Sequence, residues 1–303
     1  MIRPSPVWLL VRLSRPFFLL AGFLLFALGT SVAASTGHPI DFVRYVQGQS
    51  IVSMVQLAVH FANEYFDAPG DAANRLRTAF SGGSGSLGPE GLPRRTALSS
   101  AWVCLVIGAL VAGRMFFAGG TQPLSWLVVA AAFLGAWFYS APPVRLMSTG
   151  VGEIAASLVV AALVPIYAYT LQEGSLPFLL VAAVAPLVLL HFAILLTLEA
   201  PDRDSDQGDG KKTLVVRLGI RMTLQLHAAL VVGALVLLGM GVLATRLPLS
   251  PATLAFLATA AVAYLWQVRR TSPEGPPWRW VIGAGVCLFA LTALAEAVGF
   301  LLT

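Results

Sequence analysis

Long apolar segments recur along the whole chain and are separated by polar stretches. A helix needs about 20 mostly apolar residues to cross a bilayer, and nine segments approach or exceed that length. They are 16–35, 44–66, 96–118, 122–140, 151–171, 176–198, 220–245, 250–268 and 279–301. The segments lack the alternation of apolar and polar positions that is typical of strands in a membrane barrel. The pattern predicts an all-α membrane protein with about nine transmembrane helices in a bundle.

The composition indicates that lipid is the main solvent of this bundle. Hydrophobic residues make up 57% of the 303 residues, and charged residues only 11%, whereas soluble domains carry roughly 25% charged residues. A soluble chain of this composition could not cover its surface with polar groups. Because apolar segments continue from one end of the sequence to the other, we interpret residues 1–303 as a single membrane-embedded domain.

The distribution of basic residues predicts an orientation. If the N-terminus is cytoplasmic and nine spans alternate, 16 of the 19 Lys and Arg residues fall on the cytoplasmic side, against Arg44, Arg114 and Arg246. Positive charge concentrates in the cytoplasmic loops of membrane proteins. We therefore expect an integral protein of the cell's inner (plasma) membrane, with the N-terminus and the loops 67–95 and 199–217 in the cytoplasm. The net charge of +5 follows from this topology and indicates no nucleic-acid partner.

Carboxylates cluster at the ends of two apolar segments, in the windows NEYFDAPGD and EAPDRDSDQGDGKKT. On a helix, residues three, four, seven or eight positions apart share a face. The residues spaced in this way are Asn63, Asp67 and Asp71 in the first window, and Glu199, Asp202 and Asp206 in the second. Two such faces opposed across a central cavity would supply oxygen ligands for Mg²⁺, which takes a few carboxylates, waters and phosphate oxygens. The arrangement suits a metal-bridged diphosphate.

Two prolines bear on this geometry. Pro69 lies between Asp67 and Asp71, and a proline removes a helical hydrogen bond, so we expect the helix to break there and Asp71 to reach the metal from a loop. Pro201 disfavours a helical conformation at Ala200, which weakens the one-face argument for the second window.

Basic and other polar residues beside these windows are further candidates. Some of the cations could clamp diphosphate oxygens, and the alternative is that they only obey the charge rule or extend to the headgroups. The candidates are Arg15, Arg75, Arg145, Lys211 and Lys212. His191 either lines the cavity or is a hydrogen-bonded structural residue, and Glu153 is explained most simply as a helix cap. The Gly- and Ser-rich run 81–88 is either a plain linker or a loop that orders over substrate.

At these residues the sequence resembles the UbiA superfamily of intramembrane prenyltransferases. The family pattern is NxxxDxxxD after the second span and DxxxD after the sixth, matched here by Asn63, Asp67 and Asp71 and by Asp202 and Asp206. Further similar segments are SRPFFLLAG at 14–22, YSAPPVRL at 139–146 and GKKTLVVRLG at 210–219. Within the family, NEYFD, SGGSG and YSAPPVRL look most like the 1,4-dihydroxy-2-naphthoate polyprenyltransferases of menaquinone synthesis.

The resemblance implies a function and a set of roles. The enzyme would transfer a prenyl group from a polyprenyl diphosphate to an aromatic acceptor through an allylic carbocation, with the diphosphate bound through Mg²⁺. The metal ligands would be Asp67, Asp71, Asp202 and Asp206, with Glu199 as a further candidate. Asn63 would orient a ligand or a diphosphate oxygen. Tyr139, Ser140 and His191 are candidates near the acceptor or the cation. Glu199 departs from the family, because many members have Asn there.

Three other functions stay open. A UbiA-type enzyme with another acceptor, or a membrane terpene cyclase, would share both Asp motifs. A small cation-coupled transporter would place its carboxylates near the middle of the bilayer, at breaks in helices, whereas here they lie at the ends of spans. A polyprenyl substrate also predicts a cavity that opens to the lipid bilayer.

Overall fold

The structure is a computed structural model that describes residues 4–73, 82–119, 121–269 and 278–303. Its α-helices are α1 (Pro6–Leu13), α2 (Pro16–Ser35), α3 (Phe42–Ala73), α4 (Arg94–Ala118), α5 (Pro123–Ser140), α6 (Gly152–Leu158), α7 (Val164–Gln172), α8 (Phe178–Glu199), α9 (Arg203–Gly208), α10 (Leu214–Thr245), α11 (Pro251–Arg269) and α12 (Trp278–Leu301). One turn of π-helix, Val159–Leu163, joins α6 to α7. Turns of 3-10 helix cover Leu146–Ser148 and Ala200–Asp202.

The all-α membrane prediction is confirmed. Within the described ranges, eight helical segments are long and apolar enough to cross a membrane, and they correspond to eight of the nine predicted segments. The ninth predicted segment, 44–66, is part of α3. This helix has 32 residues and is long enough to cross, but Gln47, Gln49, Gln56 and His60 lower its hydropathy. Nine therefore remains an approximate count of the spans.

The bundle buries apolar side chains at its centre and also presents them on its outside. α2 packs against α7 and α12, α8 packs against α10 and α12, and α3 packs against α4 and α5. Leu25, Leu187 and Ala293 are completely buried between the central helices. On the outer surface, Leu110 and Leu243 are among many large apolar side chains that stay exposed. An outer surface this apolar is typical of a protein that faces lipid.

The predicted break at Pro69 is wrong, because α3 continues through this residue to Ala73. A proline in a helix leaves the carbonyl four residues earlier without its usual N–H donor. In α3 that carbonyl belongs to Tyr65, and Arg94 at the start of α4 donates to it from Nε at 2.7 Å. The Arg94 guanidinium also lies over the Tyr65 ring, 4.3 Å from its centroid. A side chain from the next helix therefore replaces the backbone donor that the proline lacks.

The expectation for Pro201 is also wrong. Ala200 has a right-handed helical backbone, with φ −58° and ψ −41°. After α8 the chain tightens into the 3-10 turn Ala200–Asp202 and then continues as α9. Pro201 lies in the first positions of that turn, where a missing N–H is tolerated. The second carboxylate window is therefore helical too, but it passes through a 3-10 turn, whereas the first lies on one continuous α-helix.

Candidate active site

A cavity of about 490 Å³ lies among α2, α3, α5, α6, α8 and α12. Its polar end is lined by all six residues that share the two predicted faces, namely Asn63, Asp67, Asp71, Glu199, Asp202 and Asp206. Its other walls are mostly apolar and include Leu24, Val160 and Phe289. A smaller apolar space of about 120 Å³ adjoins it, shares the wall residue Val160 and has Tyr167 on its lining. The two windows therefore face one compartment with a charged end and an apolar interior.

Lys211 joins the two carboxylate windows at this polar end. Its Nζ lies 3.0 Å from Asp67 Oδ1 and 2.9 Å from Asp206 Oδ1. Burial by itself would lower the pKa of Lys211, but the Asp67 and Asp206 carboxylates outweigh burial and raise the pKa above its usual value. The ammonium is therefore charged at neutral pH and holds α3 and α9 at a short distance from each other.

A short glycine-containing segment crosses the same end of the cavity. We call Gly82–Ser86 the glycine strap. Gly82 donates its N–H to Asp202 Oδ2 at 3.0 Å, and Gly82 and Gly83 both line the cavity. Gly83 has φ +77°, and a side chain there would collide with the Asp71 carboxylate. The strap therefore contacts one carboxylate of each window, and glycine is required where it presses on Asp71.

The predicted basic residues are distributed unequally around the site. Arg15 lines the cavity but is paired with Glu64, to which its Nε donates at 2.9 Å. Arg145 does not line the cavity, although it interacts electrostatically with Asp67. Lys212 is exposed and does not line the cavity, whereas Lys211 does. Arg75 lies outside the described residues. Among the described candidates, Lys211 has the most direct access to an anion in the cavity.

Two of the three residues predicted near the acceptor line the cavity, and the third does not. Tyr139 and His191 line the cavity, and His191 Nδ1 is 3.2 Å from Ser157 Oγ. Ser140 is completely buried and does not line the cavity. Adjacent residues of a helix point about 100° apart, so a helix that turns Tyr139 into the cavity turns Ser140 away from it. Ser140 is thus not positioned to meet a bound acceptor.

Glu153 has a more specific role than a cap on its own helix. It lies in the first turn of α6 but accepts a hydrogen bond from the backbone N–H of Leu214 at the start of α10. It also interacts electrostatically with Glu199, so these two acidic side chains lie near each other. Glu199 lines the cavity beside this second carboxylate, and its Oε2 has no hydrogen-bond partner among the described residues.

The polar end has the donor chemistry that Mg²⁺ requires. In the part of the chain that the structure describes, no three His, Cys, Asp or Glu side chains converge closely enough to hold a metal ion by themselves. Mg²⁺ in diphosphate sites needs only one or two carboxylates, with the remaining ligands from water and phosphate oxygens. Carboxylates of two windows face the cavity, and the buried Oδ1 of Asn63 has no hydrogen-bond partner among the described residues. These residues are compatible with Mg²⁺ carried in by a diphosphate.

Comparison with known proteins places the chain among membrane prenyltransferases. The model of the UbiA prenyltransferase family matches residues 23–291. A curated relative, the 1,4-dihydroxy-2-naphthoate octaprenyltransferase of Bacillus subtilis (strain 168), is 23% identical over 283 residues, which cover 90% of this chain and 77% of that protein. The match to the family model extends over most of the chain.

Solved structures of UbiA homologues share the fold of this chain. A UbiA homologue from Archaeoglobus fulgidus bound to DMAPP and Mg²⁺ has a TM-score of 0.66 at 16% identity, covering 97% of this chain and 99% of that one. The apo structure of a UbiA homologue from Aeropyrum pernix K1 has a TM-score of 0.62 at 18% identity, covering 92% and 97%. At these identities the similarity supports the shared fold.

Proposed function

The chain belongs to the UbiA prenyltransferase family, and we propose that it transfers a prenyl group from a polyprenyl diphosphate to an aromatic acceptor with the help of Mg²⁺. The observation that carries the proposal is the pairing of Asp67 and Asp206, from separate helices, through Lys211 at the charged end of an otherwise apolar cavity. A polyprenyl diphosphate has the same division, with an anionic head and a long apolar chain. One compartment of this kind accommodates both parts.

We propose 1,4-dihydroxy-2-naphthoate as the acceptor, which would place the enzyme in menaquinone synthesis. Two observations support this choice. The Bacillus subtilis relative carries that activity in its name, and the segments NEYFD, SGGSG and YSAPPVRL resemble the same subfamily. Tyr139 and His191 line the cavity and offer an aromatic face and an imidazole beside the acceptor or the developing cation.

The proposed roles of the polar residues follow from charge. Asp67, Asp71, Asp202 and Asp206 would hold Mg²⁺, which supplies positive charge to the leaving diphosphate. Lys211 neutralises diphosphate oxygens directly, because its ammonium is already inside the polar end. Asn63 orients a diphosphate oxygen by donating from its side-chain N–H₂, or a metal-bound water by accepting through its unpartnered Oδ1. Placing positive charge where the leaving group develops negative charge lowers the barrier to breaking the C–O bond.

We place the charged end of the cavity at the cytoplasmic face of the cell's inner membrane. The support is the positive-inside distribution, with 16 of 19 basic residues on one side. A water-soluble aromatic acid made in the cytoplasm would then reach the acceptor end directly. The prenyl chain would enter from the lipid bilayer, because the walls of the cavity are apolar.

The test is an assay of the purified protein in detergent or lipid nanodiscs with Mg²⁺, one labelled polyprenyl diphosphate and a panel of aromatic acceptors, read by mass spectrometry. We expect diphosphate release, a prenylated naphthoate product, and loss of turnover in excess EDTA. A cyclic product formed from the prenyl diphosphate alone would indicate a cyclase instead. Turnover that persists in EDTA would contradict the metal assignment.

A further inference from the structure

Glu64 is a buried carboxylate to which the proposed function assigns no task. It is 3% exposed and receives donors from two distant parts of the chain. Arg15 donates from Nε at 2.9 Å, and Ser84 donates from both its backbone N–H and its Oγ at 2.8 Å each. Both carboxylate oxygens are therefore used by protein donors. A carboxylate occupied in this way fixes its neighbours in place.

The glycine strap is held at two points by these contacts. Ser84 is bound to Glu64 on α3, and two residues earlier Gly82 donates to Asp202 in the second window. Between them, Gly83 lies directly against Asp71. The strap therefore bridges both carboxylate windows, and Glu64 is the anchor that does not belong to the predicted metal ligands.

The strap also separates the cavity from a second space. This space, of about 400 Å³, is lined by Glu64, Asp71, Gly83 and Gly85. Asp71 and Gly83 line the cavity as well, so among the described residues these two stand between the two spaces at the charged end. A displaced strap would join them and admit water to the bound diphosphate.

We propose that Glu64 is a positioning residue that fixes the glycine strap over the charged end of the cavity and Arg15 beside it, so that water is kept from the reacting prenyl group. The proposal rests on the prenyl transfer proposed above. When the C–O bond to diphosphate breaks, the allylic carbon either bonds to a ring carbon of the acceptor or to a water oxygen. The second route, after loss of a proton from that oxygen, releases a prenyl alcohol.

The first experiment does not depend on catalysis. Hydrogen–deuterium exchange of the full-length protein without substrate reports the amide of Ser84, whose N–H is bound to Glu64. Glu64→Gln replaces one carboxylate oxygen, which accepts a hydrogen bond, with an N–H₂ group, which cannot. Hydrogen–deuterium exchange in the 82–86 peptide should therefore accelerate by about tenfold or more, the usual range for a lost hydrogen bond to a charged group. Glu90→Gln is the matched control, because Glu90 is an exposed carboxylate in the same segment.

The second experiment measures how the prenyl group partitions. With Mg²⁺, a polyprenyl diphosphate and dihydroxynaphthoate, Glu64→Gln should raise the ratio of prenyl alcohol to prenylated product by about tenfold, the change expected from one charged hydrogen bond. The KM for the diphosphate should rise more than kcat falls. Ser84→Ala removes only the hydroxyl donor and should show a smaller change in the same direction. Adding Ser84→Ala to Glu64→Gln should cause little further change, because both act on one contact.

Three results would overturn the proposal. Unchanged exchange of the strap in Glu64→Gln would show that Glu64 does not anchor it. Faster exchange with an unchanged alcohol ratio would show that the strap does not exclude water. A raised Mg²⁺ requirement equal to that of Asp67→Asn would make Glu64 a metal ligand. If Glu64→Gln does not fold, Ser84→Ala decides by the same measurements. If the native protein transfers no prenyl group, the proposed function is wrong, and so is the role in excluding water. Faster exchange of the strap in Glu64→Gln would still show that Glu64 holds the strap in place.

Discussion

The two carboxylate windows bring similar side chains to one cavity on different backbones. The first is carried by a single helix, α3, that passes through Pro69 without interruption. The second follows α8 through the 3-10 turn Ala200–Asp202, which contains Pro201, and continues as the short α9. In the first case a side chain, Arg94, takes over the carbonyl that the proline leaves free. In the second, the tighter turn accommodates the proline by itself.

The difference shows that a proline near a motif does not decide the geometry of that motif. What decides it is whether another group satisfies the backbone carbonyl that loses its partner. The two windows therefore depend on different residues for their shape, although both deliver carboxylates to Lys211. The two windows share their proposed chemistry but differ in what supports their backbones. The predictions below test these two features separately.

The largest effect is expected from the carboxylates that meet at Lys211. Asp67→Asn and Asp206→Asn should each lower kcat/KM for the prenyl diphosphate by about 10³-fold, the loss typical of removing one group that stabilises developing charge. The two losses should be similar, because both side chains contact the same ammonium. Steady-state kinetics with a folding check by thermal unfolding measures this. Near-native activity in either variant would show that the windows do not act as one site.

The next largest effect should distinguish Lys211 from Lys212, which the sequence alone predicts equally as diphosphate-binding residues. Lys211→Gln should raise the KM for the prenyl diphosphate by about tenfold, because a charge-assisted contact to the anionic head is lost. Lys212→Gln should leave the KM nearly unchanged, because Lys212 is exposed and off the cavity wall. Equal changes in the two variants would contradict the position of Lys211 between the windows.

A smaller effect tests the support of α3. Arg94→Gln should reduce the free energy of unfolding by about 1 kcal/mol, because the Tyr65 carbonyl loses its donor. In a Pro69→Ala background the same change should cost much less, since the alanine N–H restores the bond to Tyr65. Thermal unfolding in one detergent measures both. The control is Arg95→Gln, at the exposed neighbouring position. If Arg94→Gln costs as much in the Pro69→Ala background as in the native chain, Arg94 does not replace the missing backbone donor.

The smallest effect is expected in the second window. Pro201→Ala should change the free energy of unfolding by only about 0.5 kcal/mol, through the greater freedom of the unfolded chain. No measurable change in kcat/KM should accompany it, because Pro201 lies at the first positions of the 3-10 turn, where a missing N–H is tolerated. A large loss of activity in this variant would mean that the proline, rather than the turn, positions Asp202.

The sequence predicted the helices and the membership of the cavity wall well, because both depend on local periodicity. The segments 16–35 and 250–268 differ from α2 and α11 by at most one residue at either end, and all six residues of the two carboxylate faces line one cavity. Ser140, predicted near the acceptor, does not line the cavity, because its neighbour Tyr139 takes the inward position on the same helix.

What the sequence could not predict are contacts between residues far apart in the chain. The donation from Arg94 to the Tyr65 carbonyl keeps α3 intact, yet neither residue belongs to a motif. Glu64 stood inside the first window without a role, because its partners Arg15 and Ser84 come together only when α2, α3 and the strap pack. A saturated, buried carboxylate beside Asn63 is a signal that only the folded chain reveals.

The π-helical turn Val159–Leu163 has a consequence for how the apolar space is shaped. A π-turn fits one more residue than an α-helical turn into nearly the same rotation, so deleting one residue from it would restore regular winding and leave α7 in almost the same orientation. Val159, Val160 and Leu163 of this turn line the smaller apolar space, so the deletion would reshape that wall, while Tyr167, Glu153 and the charged end stayed nearly where they are. The loss of one codon would in this way resize the apolar compartment without moving the carboxylates and Lys211 at the charged end.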